Sequence, residues 1–397
     1  MAHVLVAGVS TRAAAESAAH AGFAVTAIDA FGDLDQHDSV HCLSLADKFS
    51  ARAAAVAART VECDAVVYLS SFENHPKAIT TLAHGHALWG NAPEIVRRVR
   101  DPLILAETLR KRGFHVPQVR LKADTTYVND SYVGSGFRRI MTDDKLRLKP
   151  EPTTGKWLVK PLASGGGHRI RPWDRATSLP RGTYLQEFID GPSGSVVFVA
   201  AGGRASPIGI SRQLVGEAAF GAEGFQYCGN ILTAGSALVE AASALAQAVA
   251  EEFGLLGVNG IDFIARDGVP YAIEVNPRWC ASMELVERMH GLSVFAAHAA
   301  ACTSGLLPAF DLGQKPLVPA AVGKAVIYAR RDIIVGDTRT WLTKHENIRD
   351  IPQPGQRISS GRPVCTILAD APDGPTCHEA LVENAGRVYA QLEAWCA

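Results

Sequence analysis

The opening residues change hydrophobic period twice within thirty positions. "HVLVAG" is a short apolar run that reads as a buried strand. "TRAAAESAAHAG" carries helical spacing and closes at Gly22, and "FAVTAID" is a second strand ending at Asp29. Helical stretches at 47–59 and 92–99 and the strand-like "DAVVYLS" at 64–70 extend this βαβ opening into an open parallel α/β sheet. "DPLILAETLRKRGF" then predicts a helix with Asp101 as N-cap, Pro102 in the first turn and Gly113 at the stop.

Polarity rises over 122–156, where "NDSYVGSG" and "KPEPTTGK" predict irregular structure. Short strands follow at 156–160, 168–171, 183–188, 195–201, 205–212 and 225–232, which predicts a mostly antiparallel region. Residues 236–254 form the clearest helix, with Ser236 as N-cap and Gly254 as stop. The strands "GVNGIDFIAR" and "VPYAIEVNP" are joined by Asp267 and Gly268, a tight hairpin signal. Helical segments near 282–304 and a Pro/Gly-punctuated stretch at 305–323 lead to a tail with strands at "KAVIYAR", "QRISSG" and "PVCTILA" and a final helix from about 376. A chain of 397 residues exceeds one usual core. The pattern divides it into an N-terminal α/β domain at 1–120, a central domain at 121–310 and a small C-terminal α+β domain at 311–397.

Composition narrows the class of partner. Charged residues make up 20% and the net charge is −1, so nothing overall asks for nucleic acid or an anionic membrane, and any anionic ligand must be held locally. The eight cysteines form no C-x-x-C pair, which points away from a zinc knuckle or disulfide framework and toward a reducing cytoplasm. The first apolar run is about five residues, too short for a signal-peptide core. No later run approaches ~18 uninterrupted apolar residues.

The chemistry gathers on the hairpin. Glu274 and Asn276 share one strand face, and antiparallel pairing can bring Asp262 beside them. Three oxygen donors suit Mg²⁺ (or Mn²⁺) shared with nucleotide phosphates, and Arg278 could reach the same phosphates. An ordinary polar surface hairpin would read the same way. In "WLVKPLASGGGHRI" an apolar strand ends in Lys160 and is followed by Ser164, Gly165, Gly166 and Gly167. Such a loop is either a flexible turn or a phosphate cradle, and it is not a Walker A loop. The strand "TYLQEFIDG" could offer Gln186, Glu187, Phe188 and Ile189 to a base, or be a plain edge strand. Arg212 and Gln213 lie in the glycine-punctuated segment 210–230 and could face a substrate carboxylate, a γ-phosphate or solvent. The N-terminal "GVSTRAAAE" lacks G-x-G-x-x-G, though a helix N-terminus there could hold an anion.

Taken in order, these segments resemble the ATP-grasp superfamily over roughly residues 1–310. The ending "IEVNPR" and the tail "GKAVIYAR…GRPVCTILA" look similar to ATP-dependent carboligases related to biotin carboxylase, some of them associated with one-carbon cofactor synthesis. The resemblance implies an ATP-grasp fold preceded by an open parallel sheet domain. It implies that Lys160 and the loop 164–167 contact ATP phosphates, that Gln186 to Ile189 bind adenine, and that Asp262, Glu274 and Asn276 hold Mg²⁺ (or Mn²⁺). Arg278 would stabilise the transferring phosphoryl group. Many members carry a ribose-binding glutamate a few residues past the interlobe strand, whereas here "GPSGSVVF" leaves Asp190 as the nearest acid. The implied activity is a carboxylate–amine ligase that forms an amide, in some relatives with glutamate, through an acyl phosphate, with ADP and phosphate as products. The alternatives are a biotin carboxylase-like enzyme activating bicarbonate and a non-catalytic nucleotide-binding protein. The expected partners are small-molecule carboxylate and amine substrates, with homo-oligomer formation left open.

Overall fold

The computed structural model describes residues 1–121, 156–174, 178–313, 320–344 and 346–395. The loop expected over 122–156 and the cysteine at 396 lie almost wholly outside them.

The N-terminal unit is a five-stranded sheet in the order Val40–Ser44, Ala24–Asp29, His3–Ala7, Ala65–Tyr68, Ala87–Leu88, with every pair parallel. Its central strand is apolar on both faces, as a covered parallel sheet requires. Leu5 and Ala7 pack against helix Ala51–Ala57 and against Ile79 and Leu82. Val4 and Val6 pack against helix Arg12–His20. Asp101 caps helix Pro102–Lys111 through the N–H groups of Leu103 and Ile104.

A second, eight-stranded antiparallel sheet runs Val269–Asn276, Gly257–Arg266, Ser193–Ala201, Arg204–Val215, Tyr227–Thr233, Ala321–Tyr328, Pro363–Ala371, Ile348–Arg349. Ala321–Tyr328 pairs directly with Tyr227–Thr233, so the tail strands continue the central sheet. One face of that sheet carries Val196, Phe198, Ile261, Phe263 and Val275 and is covered by helix Val239–Phe253. The other face is split by polarity. Val197, Val199, Ile208 and Leu232 lie under helices Met283–His290 and Val294–Ser304, while the remainder is polar and open. A small antiparallel sheet, Val119–Arg120, Thr183–Glu187, Trp157–Pro161, Arg171–Pro172, stands opposite that open part.

Three expected elements differ in detail. The long helix begins at Val239, because the Ser236 hydroxyl accepts from the Leu238 N–H at 3.2 Å and makes a local turn instead of the N-cap. The strand expected at 168–171 shrinks to Arg171–Pro172, because turns from Gly165 to Ile170 occupy the preceding backbone. "QRISSG" contributes only Arg357–Ile358, paired with Ile333–Ile334. The hairpin turn is as read, with Asp267 at φ +54° and Gly268 at φ +77°. Among the described residues no helix is long and apolar enough to cross a membrane.

Candidate active site

The two sheets and the N-terminal unit enclose a cleft of about 800 Å³. Its floor is the polar part of the large sheet, where facing strands place side chains in a row. Asp262 is the cross-strand partner of both Glu274 and Ser195, Gln213 of Asn230, and Asn230 of Lys324.

A β-bulge shapes the chemical end of this row. Asp262 pairs with Glu274 and Phe263 with Ala272, so Ile273 has no partner of its own. A bulge re-aims the chain by one residue, and Ile273, Glu274 and Asn276 all line the cleft while Ala272 and Val275 stay in the core. "AIEVN" therefore turns an apolar wall and two polar side chains toward one space.

The hydrogen bonds of this group are continuous. Gln213 donates to Asp262 at 2.9 Å and Asn276 donates to its other oxygen at 3.0 Å. Arg278 donates to the side-chain oxygen Oδ1 of Asn276 at 3.2 Å and to Glu73 at 2.7 Å. Glu274 is ion-paired with Arg100, whose guanidinium also reaches the Val275 carbonyl at 3.1 Å. The two carboxyls are driven apart in acidity. Burial, with the neighbouring Glu274 charge, pushes Asp262 up to about 6. Burial also acts to raise Glu274, but Arg100, Lys160 and Arg278 outweigh it and hold the group below its ordinary value.

Hard oxygen donors on adjacent strands, one of them a half-buried carboxyl short of positive charge, fit a divalent cation. Among the described residues no three His, Cys, Asp or Glu side chains are grouped to hold a metal ion. The donor set is thus two carboxylates and one carboxamide, which suits a Mg²⁺ that keeps waters and shares phosphates better than a closed protein cage.

Lys160, 5% exposed, lines the cleft and donates to Gln186 at 3.1 Å, and Gln186 donates in turn to the Ile273 carbonyl at 3.3 Å. The Gln186 side chain is therefore spent on holding the lysine, not offered to a base. Glu187, Phe188 and Ile189 line the cleft beside half-buried Leu158, Ile170, Ile264 and Ile273, an apolar slot between the sheets. Glu187 accepts from the Gln118 N–H at 3.0 Å and is the acid on this wall, whereas Asp190 is exposed and does not line it.

Gly165, Gly166 and Gly167 line the cleft. Gly167 has φ +76°, and a Cβ there would meet the Phe225 carbonyl oxygen at 1.7 Å, so the loop is pressed against the 224–227 tip as only glycine allows. Ser164 lies behind the loop, its carbonyl accepting from Asn74 at 3.2 Å and Arg100 at 3.4 Å. Gln213 faces the cleft, but Arg212 does not. Strand alternation turns Arg212 to the opposite face, exposed and next to Cys377. Pairing it with Gln213 as a substrate contact is corrected on that ground. Cys280 is buried, with its thiol pushed up to about 12 by burial, the state of an inert thiol.

Sequence reading alone did not single out Arg100, Glu73, Ser195 or the slot residues Leu158, Ile170, Ile264 and Ile273. Arg100 and Glu73 come from the N-terminal unit and carry no local motif; only the packing of that unit against the hairpin gives them a role.

Comparison with known proteins bears on the fold. Residues 99–282 match the family described as an ATP-grasp domain. An uncharacterized protein of Methanocaldococcus jannaschii is 23% identical over 281 residues, 70% of this chain, and the match spans 63% of that relative's length. The L-amino acid ligase of Bacillus licheniformis superposes with a TM-score of 0.68 at 16% identity, over 96% of each chain. The biotin carboxylase domain of Hydrogenobacter thermophilus 2-oxoglutarate carboxylase, solved with MgADP, ADP and bicarbonate, gives 0.64 at 16% identity over 93% of this chain and 86% of that one. At such identities the likeness is one of fold.

Proposed function

We propose, from the premise that this chain has the ATP-grasp fold and carries an ATP-grasp domain over residues 99–282, that it is a carboxylate–amine ligase. The observation that carries the reading is the convergence on one cleft of Lys160, the glycine loop, Arg278 and the Asp262–Glu274–Asn276 row. An L-amino acid ligase is among the structures that superpose over nearly the whole chain, which supports amide formation as one ATP chemistry of this fold.

In this reading the apolar slot takes the adenine ring between Leu158, Phe188, Ile264 and Ile273. Lys160, held by Gln186, and the backbone of Gly165–Gly167 grip the phosphates. Asp262, Glu274 and Asn276 would hold Mg²⁺ (or Mn²⁺), which would offset phosphate charge. Arg278, fixed by Glu73 and Asn276, faces the transferring group, where a preorganised cation is worth most in a water-poor site. The substrate carboxylate oxygen bonds to the γ-phosphorus as the bond to ADP breaks. The amine nitrogen then bonds to the acyl carbon, phosphate leaves with the acyl oxygen, and the nitrogen gives up a proton.

A hydroxylamine trap tests this. Protein, Mg²⁺-ATP and a panel of carboxylates including glutamate, pterin acids and bicarbonate are scored for ADP and hydroxamate. Hydroxamate with one carboxylate is the expected result and names the acid. ADP stimulated by bicarbonate alone would replace the ligase with a carboxylase, a reading favoured by the likeness to the biotin carboxylase domain. Nucleotide binding without turnover across the panel would count against catalysis.

A further inference from the structure

Acids from three separate stretches of chain gather at one part of the cleft, where Asp33 and Asp350 line it. Asp33 and Asp35 lie in the loop after strand Ala24–Asp29, Glu284 in the first turn of helix Met283–His290, and Asp350 just past strand Ile348–Arg349. Two cations answer them. Fully buried Arg12 contacts Asp350 at 2.7 Å, Glu284 at 2.5 Å, Glu16 at 2.9 Å and Asp35 at 3.6 Å, and Lys324 is ion-paired with Glu284. Asp35 also accepts from the N–H groups of Ile351 at 2.8 Å and Asp350 at 3.1 Å.

Asp33 is the acid left over. It is 8% exposed, it lines the cleft, and its Oδ2 has no hydrogen-bond partner among the described residues. Burial, together with the charges of Asp350, Asp29 and Asp35, pushes its carboxyl well above the ordinary range, and Arg12 only partly offsets them. A buried carboxyl with an unpartnered oxygen is costly unless something supplies a donor or a positive charge. An ammonium group supplies both.

We propose that Asp33 anchors an organic primary ammonium in this part of the cleft. One feature favours an organic cation over a metal. Val9, Phe31 and Pro352 line the cleft beside Asp33, as a carbon chain behind the nitrogen would require. If the ligase reading holds, on which this assignment of role rests, the bound group belongs to the amine substrate, and Lys324, Asp350 and Thr366 show that the tail strands build its pocket.

Calorimetric titration of the whole protein with n-butylammonium, cadaverine and L-alaninamide decides the matter, with 1-butanol as the neutral isostere and Mg²⁺ as the inorganic cation. At least one ammonium should bind with Kd on the order of 1 mM or tighter, and 1-butanol about tenfold more weakly. Asp33→Asn, with its melting temperature not lowered, should weaken the ammonium about tenfold. If that variant fails to fold, Asp33→Ser and the butylammonium–butanol contrast in the native protein carry the decision. Absence of ammonium binding, equal binding of alcohol, equal binding by Asp33→Asn, or an Asp33-dependent site for Mg²⁺ alone would overturn the proposal. Ammonium binding without ADP or hydroxamate formation would leave the site standing and sink the ligase. Hydroxamate formation without an Asp33-dependent ammonium site would do the reverse.

Discussion

Glu73 and Arg278, 205 positions apart, form an ion pair at 2.7 Å that ties the parallel sheet unit to the end of the hairpin. The Glu73 side chain is 1% exposed, and the pair fixes the guanidinium over the cleft with Asn276 as its second support. Burial opposes the Arg278 charge, but Glu73 outweighs it and keeps the group firmly protonated. Glu73→Gln leaves a buried guanidinium without its counter-charge and should cost about 3–5 kcal/mol, read as a lowered midpoint in denaturant titration. An unchanged midpoint would mean that the pair adds nothing to the fold.

Arg278→Ala should lower kcat by about 10²–10³-fold with a smaller change in the KM for ATP, because the interaction is made chiefly with the transferring group. Steady-state kinetics on the carboxylate found by the hydroxylamine trap separates the two constants. A loss confined to KM would place Arg278 in ground-state binding instead.

Metal-dependent nucleotide binding should weaken as pH falls through about 6, the value to which burial and Glu274 raise Asp262. The sign follows from competition, since the protonated carboxyl cannot ligate, and each further pH unit should cost about tenfold in apparent affinity. The metal-free fold should respond oppositely. A carboxyl whose folded-state pKa is raised adds stability only as it takes up its proton, from about pH 6 down toward its ordinary value. ADP titrations with Mg²⁺ check the first sign and denaturant titrations of the metal-free protein check the second, both between pH 5 and 8, and Asp262→Asn should flatten both.

Gln186→Met removes the acceptor that holds Lys160 and leaves the Ile273 carbonyl without its side-chain donor. The KM for ATP should rise about tenfold, near the worth of one charge-assisted hydrogen bond, with a smaller effect on kcat. If KM is unchanged, Lys160 does not need that support.

Glycine substitutions in the loop should separate sharply. Gly167→Ala puts a methyl group 1.7 Å from the Phe225 carbonyl oxygen at φ +76°, and should weaken ADP binding at least about tenfold while costing about 1–3 kcal/mol of stability. Gly165→Ala meets nothing within 4 Å and should be close to neutral for stability. Equal behaviour of the two variants would remove the case for a rigid cradle.

The sequence by itself determined the local architecture: the βαβ opening, the Asp101 cap, the Asp267–Gly268 turn, and Glu274 and Asn276 on one strand. Each depends on side-chain period, capping or turn chemistry within a few residues, which any reader of the chain can see. It also placed Lys160, the glycine loop and Gln213 in segments that reach one cleft. Tertiary structure decided the rest. The partnerless Ile273 turns an apolar wall and Glu274 to the same side, a shift that strict alternation does not predict. The outward face of Arg212 and the inward use of Gln186 depend on which neighbours cover each strand. Arg100, Glu73 and Asp33 come near the cleft only because distant segments pack against the hairpin and tail strands. Long-range pairing of charge leaves no periodic trace in a sequence; it exists only once separate cores have been brought into contact.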